Sequence, residues 1–443
     1  MKIGIIGAGL SGLALAYRLG ERGHQVTVLE RDSQPGGLAT WQDHGSFEFD
    51  RYYHVILPSD RYLLPFLREI GLGDEMIWET TLTGFFVDRK LHSVSNALEF
   101  LRFPALSLWS KFRLAYTILY CSRIDDWRRL EGITVEEFLL RHSGKATYEK
   151  LWKPLLLAKL GENYRRVSAV FIWTYIKRMF SARDSRASKE QMGHVRGGYK
   201  TVFERLVDRI REQQGEVHFD TTVSSITQSG AGGVAVESSA GTQRFDKVIF
   251  TGPVNVLQQV ASQELIDVDR SGADVEYLGV LCMSLITRKP LTEYYILNIA
   301  DERIPFTGVV GMSNIMEPGE TAGRHLSYLP KYVLSTDPEL KRPEEELQEE
   351  FLAGLRCMFP DLGDEDIESC RIYRAFKVQP LQVLNFSEIT PRSATKHPDF
   401  YIHNTAQFVN NTLNNNEVIR AVDEFMKTYD QQFPPAEKPA LVA

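Results

Sequence analysis

The sequence predicts an α/β protein built on a parallel sheet, and three observations carry that expectation. A strand, a glycine-rich turn, a helix and a second strand follow one another within residues 2–30. The same strand–helix alternation returns after Gly197-Gly198-Tyr199. Between the two lies a long stretch of helical spacing and large side chains, the texture of an insertion.

Taken in order, residues 2–7 are a short apolar run, 10–23 have helical spacing, and 25–30 read QVTVLE, again a strand. Residues 62–72 form an amphipathic helix, and 76–188 are expected to be mostly helical, with few turn signals after Asn96. A helix over 200–213 precedes Gly215, a strand at 216–219 and strand character at 222–227. A Gly/Ser-rich hairpin at 230–241 then leads to a strand at 247–250, stopped by Gly252-Pro253. Alternating β-branched and aromatic residues over 275–310 suggest strands of a second sheet. Residues 344–359 read as a helix, 400–403 as a short strand and 417–429 as the last helix, before a polar tail at 434–443 that is expected to be disordered.

At 443 residues, 43% hydrophobic and 25% charged, the chain has a soluble globular profile large enough for two or three packed units. Lys plus Arg number 51 against 58 Asp plus Glu, a net charge of −7, so no basic field attracts nucleic acid and that partner is excluded. Cys121, Cys282, Cys357 and Cys370 lie far apart, with neither CxxC spacing nor disulfide-scaffold density, which favours reduced thiols and a cytoplasmic location. Residues 1–19 imitate a secretion signal, but Gly7, Gly9 and Gly12 interrupt the apolar run. The most apolar later stretch, 103–121, carries Lys111 and Arg113 at its centre, which a spanning helix of about 20 apolar residues does not tolerate. Zinc spacing, a P-loop and a Ser-His-Asp constellation are all missing, so no metal site is expected.

The motif with chemical content is Gly7-Ala8-Gly9-Leu10-Ser11-Gly12, at a strand-to-helix turn. The first glycine permits the tight turn, the second lets backbone approach a pyrophosphate, and the third lets helix and strand pack closely. The helix N-terminus then faces negative charge. Glu30 ends the next strand, where a carboxylate accepts hydrogen bonds from the ribose hydroxyls of an adenosine, and Arg31 follows it. These features fit FAD and NAD equally.

Residues 7–37, with Ala16, Leu19, Gly23, Val26, Val28, Leu29, Glu30 and the second pair Gly36-Gly37, resemble the extended N-terminal fingerprint of the flavin amine oxidase, protoporphyrinogen oxidase and phytoene desaturase superfamily. In that superfamily the second glycine pair, here followed by Leu38, lies in a loop near the pyrophosphate and flavin. Three further segments match in order: Gly197-Gly198-Tyr199 before a helix; residues 217–226, similar to a strand pair whose backbone, at Val223, meets the adenine; and residues 246–253, DKVIFTGP. The resemblance implies FAD as cofactor, held by Gly7, Gly9, Leu10, Ser11, Gly12, Glu30, Arg31, Gly36, Gly37, Leu38 and Val223. It implies a Rossmann-like, glutathione-reductase-like FAD-binding domain of residues 1–75, 190–260 and 385–433. An α+β substrate-binding domain of residues 76–189 and 261–384 would be inserted into it.

The sequence departs from the family pattern at three places. Where the superfamily has Gly-Asp after its last strand, this chain has Asn404-Thr405-Ala406-Gln407, and the final helix is approached through Asn414-Asn415-Asn416-Glu417. Asn404 or Thr405 stands in for the missing Asp at the ribityl chain, and the backbone N–H groups of Asn415, Asn416 and Val418 offer a helix N-terminus to the flavin C2 oxygen. The competing reading is an Asn-rich turn that serves only as caps. After the glycine pair, Phe49-Asp50-Arg51-Tyr52-Tyr53-His54 replaces the usual glycine-rich stretch at the flavin face. Arg51 and His54 are the catalytic candidates, His54 because its ordinary pKa suits proton transfer near neutrality. The lysine that holds a water near flavin N5 in amine oxidases has no counterpart in residues 277–283, which disfavours amine oxidation; Lys377 is the alternative source of that charge.

The helical stretch supplies candidate substrate walls: Trp109, Tyr116, Tyr120, Trp127, Trp152, Lys153 and Pro154, then Phe171, Trp173, Tyr175 and Arg178. Lys111, Arg113, Arg123, Arg128 and Arg129 beside apolar residues suggest a peripheral membrane face or a site for an anionic substrate. The expected function is an FAD-dependent oxidoreductase acting on a bulky or lipophilic small molecule by hydride transfer to flavin N5. Two rivals stand beside it: a non-redox flavoenzyme on a nucleotide sugar, similar to UDP-galactopyranose mutase, and a flavin-binding protein without turnover.

Overall fold

In a computed structural model, which describes residues 1–181, 190–267, 272 and 274–433, the strand–helix segments meet in one five-stranded sheet. Its order is Phe400–Ile402, Lys247–Phe250, Lys2–Ile6, Gln25–Leu29, Glu216–His218, all pairs parallel. Both faces are covered, as apolar parallel strands require. On one face the helices Leu10–Gly20, Gly198–Glu212 and Asn415–Gln432 share a core that includes Leu13, Val202, Phe203, Leu206, Ile419 and Val422. On the other, an antiparallel meander of Val223–Gln228, Val234–Ser238 and Gly241–Phe245 buries Ile226, Val236 and Phe245 against Ile6, Leu29 and Phe250. This is a Rossmann-like arrangement drawn from three separated parts of the chain.

A second sheet has seven strands in the order Ile367–Pro380, Tyr277–Thr287, His325–Leu334, Gly308–Gly311, Ile296–Ile299, Thr83–Val87, Lys90–Ser93. Its helix-covered face packs Leu347, Phe351 and Leu355 of Glu344–Met358 against Met283, Leu285, Leu297 and Leu329. The opposite face presents Cys282, Tyr295 and Tyr328 and packs against Phe49 and Leu57. Helices Leu108–Ser122, Val135–Ser143, Lys153–Leu160 and Ala169–Ser181 form a further helical body.

Two expectations are corrected, and two strands appear that the sequence does not announce. Residues 76–93 are not helical but three strands, of which Met76–Thr80 pairs with Gln191–Val195 while Thr83–Val87 and Lys90–Ser93 complete the large sheet. The turn joining the last two puts Asp88 (φ 52°) and Arg89 (φ 61°) in the left-handed region without the Asn-Gly or Asp-Gly signature, so no hairpin signal was present to read. Strands His325–Leu334 and Ile367–Pro380 were not anticipated, because the first lacks turn-bounded alternation and the second is a charged edge strand. The last helix begins at Asn415, two residues before Glu417. The expected tail, 434–443, lies outside the described residues.

Candidate functional site

The site begins where strand Lys2–Ile6 turns into helix Leu10–Gly20. Gly7 sits at φ 108°, a conformation L side chains rarely adopt. A Cβ on Gly12 would lie 2.0 Å from the Gly7 carbonyl oxygen, so only glycine lets helix and turn approach this closely. A Cβ on Gly9 would meet nothing within 4 Å. The backbone there faces open space, next to the N–H groups of Leu10 and Ser11, which have no intrahelical acceptor. This is an anion cradle with its occupant's volume left clear.

Glu30 lies behind the cradle, its two carboxylate oxygens accepting from Ala8 N–H at 2.6 Å and Asp32 N–H at 3.0 Å. Arg31 is solvent-exposed and pairs with Asp32 at 3.3 Å. Val223 begins its strand opposite Ser238, where a register shift before Ser225 opens the ladder. Gly36 N–H donates to Ala8 carbonyl at 2.9 Å, and a Cβ on Gly37 would stand 3.5 Å from Gly9 Cα. The second glycine pair thus lies directly on the first turn, with Leu38 in the short helix Gly37–Ala39 beside it. Arg51 N–H then donates to Thr40 carbonyl at 2.9 Å, its guanidinium lies 5.6 Å from the Tyr373 ring centroid, and its buried Nε has no hydrogen-bond partner among the described residues.

At the C-terminal end the Asn residues are mostly committed. Asn404 accepts from Ala406 N–H and donates to Gly252 carbonyl, both of its side-chain groups engaged in building the turn. Asn416 accepts from Tyr62 N–H at 2.9 Å and Leu63 N–H at 3.2 Å, tying the last helix to helix Leu63–Glu69. The Val418 N–H is spent on Asn414 carbonyl, and Asn414 caps the helix by accepting from Glu417 N–H. The expectation for the Val418 N–H is therefore corrected, because Asn414 carbonyl takes it, while the Asn404 side chain helps to build the turn with one of its two amide N–H groups and its oxygen. The Asn415 and Asn416 backbone N–H groups, at the first two helical positions, have no intrahelical acceptor. The Thr405 hydroxyl makes no hydrogen bond among the described residues.

Asp50, absent from the sequence candidates, is buried and accepts from Tyr199 N–H at 2.7 Å, at the start of helix Gly198–Glu212. Burial raises its pKa, opposed by His54, whose Nδ1 stands 3.6 Å away. The His54 ring also packs edge-on against Tyr199. Its setting is that of a partner to a structural carboxylate. The Tyr328 hydroxyl donates to the Asp50 carbonyl oxygen. Beyond it, Tyr53 and Tyr332 share a hydroxyl–hydroxyl bond of 2.6 Å, and Lys159 Nζ stands 3.1 Å from the Tyr332 ring centroid. Burial raises Tyr53 to about 12 and lowers Lys159 to about 7. Lys159 carried one readable signal, an isolated lysine in an apolar helical run. Lys377 instead lies over Tyr277, half-buried.

Several expected wall and charge residues fall elsewhere. Trp109, Tyr116 and Tyr120 face outward on helix Leu108–Ser122, and Trp173 is buried with its Nε1 donating to Cys121 carbonyl. Tyr175 of the aromatic set lies near the Tyr53–Tyr332 pair. Lys111 turns inward to Leu101 carbonyl at 2.7 Å, and Arg113 reaches the carbonyls of Arg141 and His142, so neither contributes to a basic surface. The charged ends cap backbone carbonyls of neighbouring helices.

Comparison with known proteins agrees with this geometry. The family model "Flavin containing amine oxidoreductase" matches residues 10–380. Protoporphyrinogen oxidase 2 of Arabidopsis thaliana is 24% identical over 293 residues, 57% of each chain. The 15-cis-phytoene desaturase of Arabidopsis thaliana is 24% identical over 281 residues, 58% of this chain and 49% of that one. These matches span about half the length of the curated relatives. Among solved structures, a putative protoporphyrinogen oxidase from Exiguobacterium sp. 255-15 superposes with a TM-score of 0.76 at 17% identity, over 97% of this chain and 99% of that one. Reduced UDP-galactopyranose mutase superposes with a TM-score of 0.70 at 16% identity, over 98% of both. Likeness at that identity speaks for the fold, whereas the family model covers most of the chain and the cradle at Gly9 fits a pyrophosphate: the chain belongs to the flavin-containing amine oxidoreductase family, with FAD as its cofactor.

Proposed function

We propose that this chain oxidises a bulky, lipophilic small molecule and meets it at a membrane surface. FAD, when bound, supplies the acceptor for a hydride leaving a substrate C–H or N–H bond. The protein's part is to bind and orient. Leu10 and Ser11 N–H groups beside Gly9 would receive the pyrophosphate, with Gly36, Gly37 and Leu38 closing over it. Glu30 would hold the adenosine ribose and the Val223 backbone the adenine. Thr405 and the N–H groups of Asn415 and Asn416 would serve the ribityl and ring end. Arg51, with its orphaned Nε, and His54 would border the reacting face.

The observation that carries the lipophilic reading is the outer face of helix Leu108–Ser122. Leu108, Trp109, Phe112, Tyr116 and Leu119 are 74%, 67%, 63%, 49% and 42% exposed, at spacings that put them on one side. Leu98 and Leu101 of the adjoining helix extend the patch. Exposed Arg102, Arg123, Arg128 and Arg129 flank it, the charge an anionic lipid surface attracts. Among the described residues no helix is long and apolar enough to cross a membrane. Contact would therefore be peripheral. The relatives named for protoporphyrinogen and phytoene oxidation support the same substrate class.

The test is an absorbance spectrum of the purified protein before and after denaturation, then anaerobic mixing with protoporphyrinogen or phytoene in micelles. Released FAD and bleached flavin bands are expected. Protein that retains no flavin after reconstitution refutes the reading; so does flavin reduced as fast by a small hydrophilic amine such as putrescine.

A further inference from the structure

Between Pro154 and Leu160 the helix Lys153–Leu160 carries a single polar side chain, Lys159. It makes no ion pair or hydrogen bond among the described residues. Lys159, Tyr53, Tyr175 and Tyr332 all retain accessible surface, yet burial strongly disfavours the charged form of each. Surface retained by side chains this deep implies a void between them, beside the Lys159–Tyr332 contact and the Tyr53–Tyr332 bond.

The surroundings offer this cation no counter-charge. Strand His325–Leu334 brings Tyr332, residue Tyr53 is bonded to it, and helix Ala169–Ser181 brings Tyr175; burial raises all three pKa values, so they stay protonated. Cys282 beyond them is raised in the same way. Strand Ile296–Ile299 carries no titratable group. Charges on the flanking turns are committed elsewhere: Glu149 to Lys153, Glu162 to Arg165, Arg166 to Glu276, while Lys150 is exposed. Lys331 is held by Glu339 and Glu350, and Arg178 reaches Asp60. The Tyr332 ring face offers about 2 kcal/mol to a desolvated cation, short of the several kcal/mol that burying an ion costs. The hydroxyl pair adds one more unfilled valence. Two hydroxyls hold two protons, and the Tyr53–Tyr332 bond uses one, leaving a donor free.

We propose that Lys159 receives a carboxylate of the substrate, so that the void takes a largely apolar molecule carrying an acidic group, with the free tyrosine proton as second donor to that group. This rests on the flavin-dependent reading above, since the flavin serves as reporter. Only the ammonium form binds a carboxylate, so affinity is constant below about pH 7 and falls about tenfold per pH unit above it.

The experiment titrates flavin-loaded protein with octanoate and phenylacetate, and with octanamide and phenylacetamide, following the visible flavin spectrum from pH 6 to 8.5. Saturable changes are expected with at least one acid, at least about tenfold weaker with its amide, weakening above pH 7. Lys159→Met should keep its FAD content and Tm while losing about thirtyfold in acid affinity and the pH dependence. Failure of both acids, equal binding of acid and amide, a flat pH profile, or undiminished binding in Lys159→Met would each overturn the proposal. The acid–amide comparison and pH profile need no variant. Protein that holds no FAD refutes the flavin reading instead, at an earlier step.

Discussion

Replacing Gly9 by alanine adds one methyl group at a point where the protein offers no contact within 4 Å. The residue's backbone, at φ −70° and ψ 174°, suits alanine. Losing a glycine at an N-cap costs up to about 1 kcal/mol, and the reduced freedom of the unfolded chain returns about 0.4–1 kcal/mol. The apoprotein's stability should therefore change by less than about 0.5 kcal/mol. The methyl group enters the space left for the pyrophosphate and blocks the N–H groups of Leu10 and Ser11. Each lost charge-assisted hydrogen bond is worth about 1.5–3 kcal/mol, so two of them weaken FAD by at least about a hundredfold. Gly12→Ala should behave oppositely in the apoprotein. Its Cβ would lie 2.0 Å from Gly7 O and 3.2 Å from Thr251 Oγ1. Neither backbone nor strand can yield that distance, so a loss of about 3 kcal/mol or more is expected from overpacking. The assay is thermal unfolding of each apoprotein beside an FAD titration by flavin fluorescence. Gly9→Ala with a Tm several degrees lower, or with FAD affinity within twofold of the parent, would falsify the assignment of that space.

Further outcomes follow from single sites. His403 is buried and its pKa is lowered to about 4, so the unfolded chain takes up a proton near pH 6.5 that the folded one refuses. Stability should fall by about 3 kcal/mol as pH drops from 6.5 to 4, and His403→Phe should flatten that part of a urea-unfolding profile. Asn416→Ala leaves the N–H groups of Tyr62 and Leu63 without their acceptor, a loss of about 2–3 kcal/mol, whereas Asn416→Asp, which keeps an oxygen there, should lose less. Glu30→Ala removes the acceptor of Ala8 N–H, and FAD affinity measured by equilibrium dialysis should fall on the order of tenfold or more. Leu108→Glu combined with Phe112→Glu, both on the exposed face, should abolish co-sedimentation with anionic vesicles at unchanged flavin content; retained binding would move the membrane face elsewhere.

The sequence by itself determined the cradle. Gly7, Gly9, Gly12 and the pair Gly36-Gly37 are readable because a left-handed turn and a close backbone approach are local steric demands that residue type alone meets. Glu30 was readable for the same reason, since two residues of one βαβ unit keep their spacing wherever the unit sits. What only the tertiary structure decided is which polar groups remain free. Asn404 looks like a ligand in the sequence and proves to be tied to Gly252 carbonyl, 152 residues away, and the Asn416 side chain holds the N–H groups of Tyr62 and Leu63, up to 354 residues away. Lys111 looks like surface charge and turns inward, while Lys159, an isolated lysine in an apolar run, stands over the Tyr332 ring. The strand Thr83–Val87 pairs with Ile296–Ile299 across the fold, and its ladder leaves no local period to detect. Steric constraints on backbone conformation are written residue by residue, but burial and hydrogen-bond satisfaction belong to the assembled chain, because each depends on atoms brought in from distant segments.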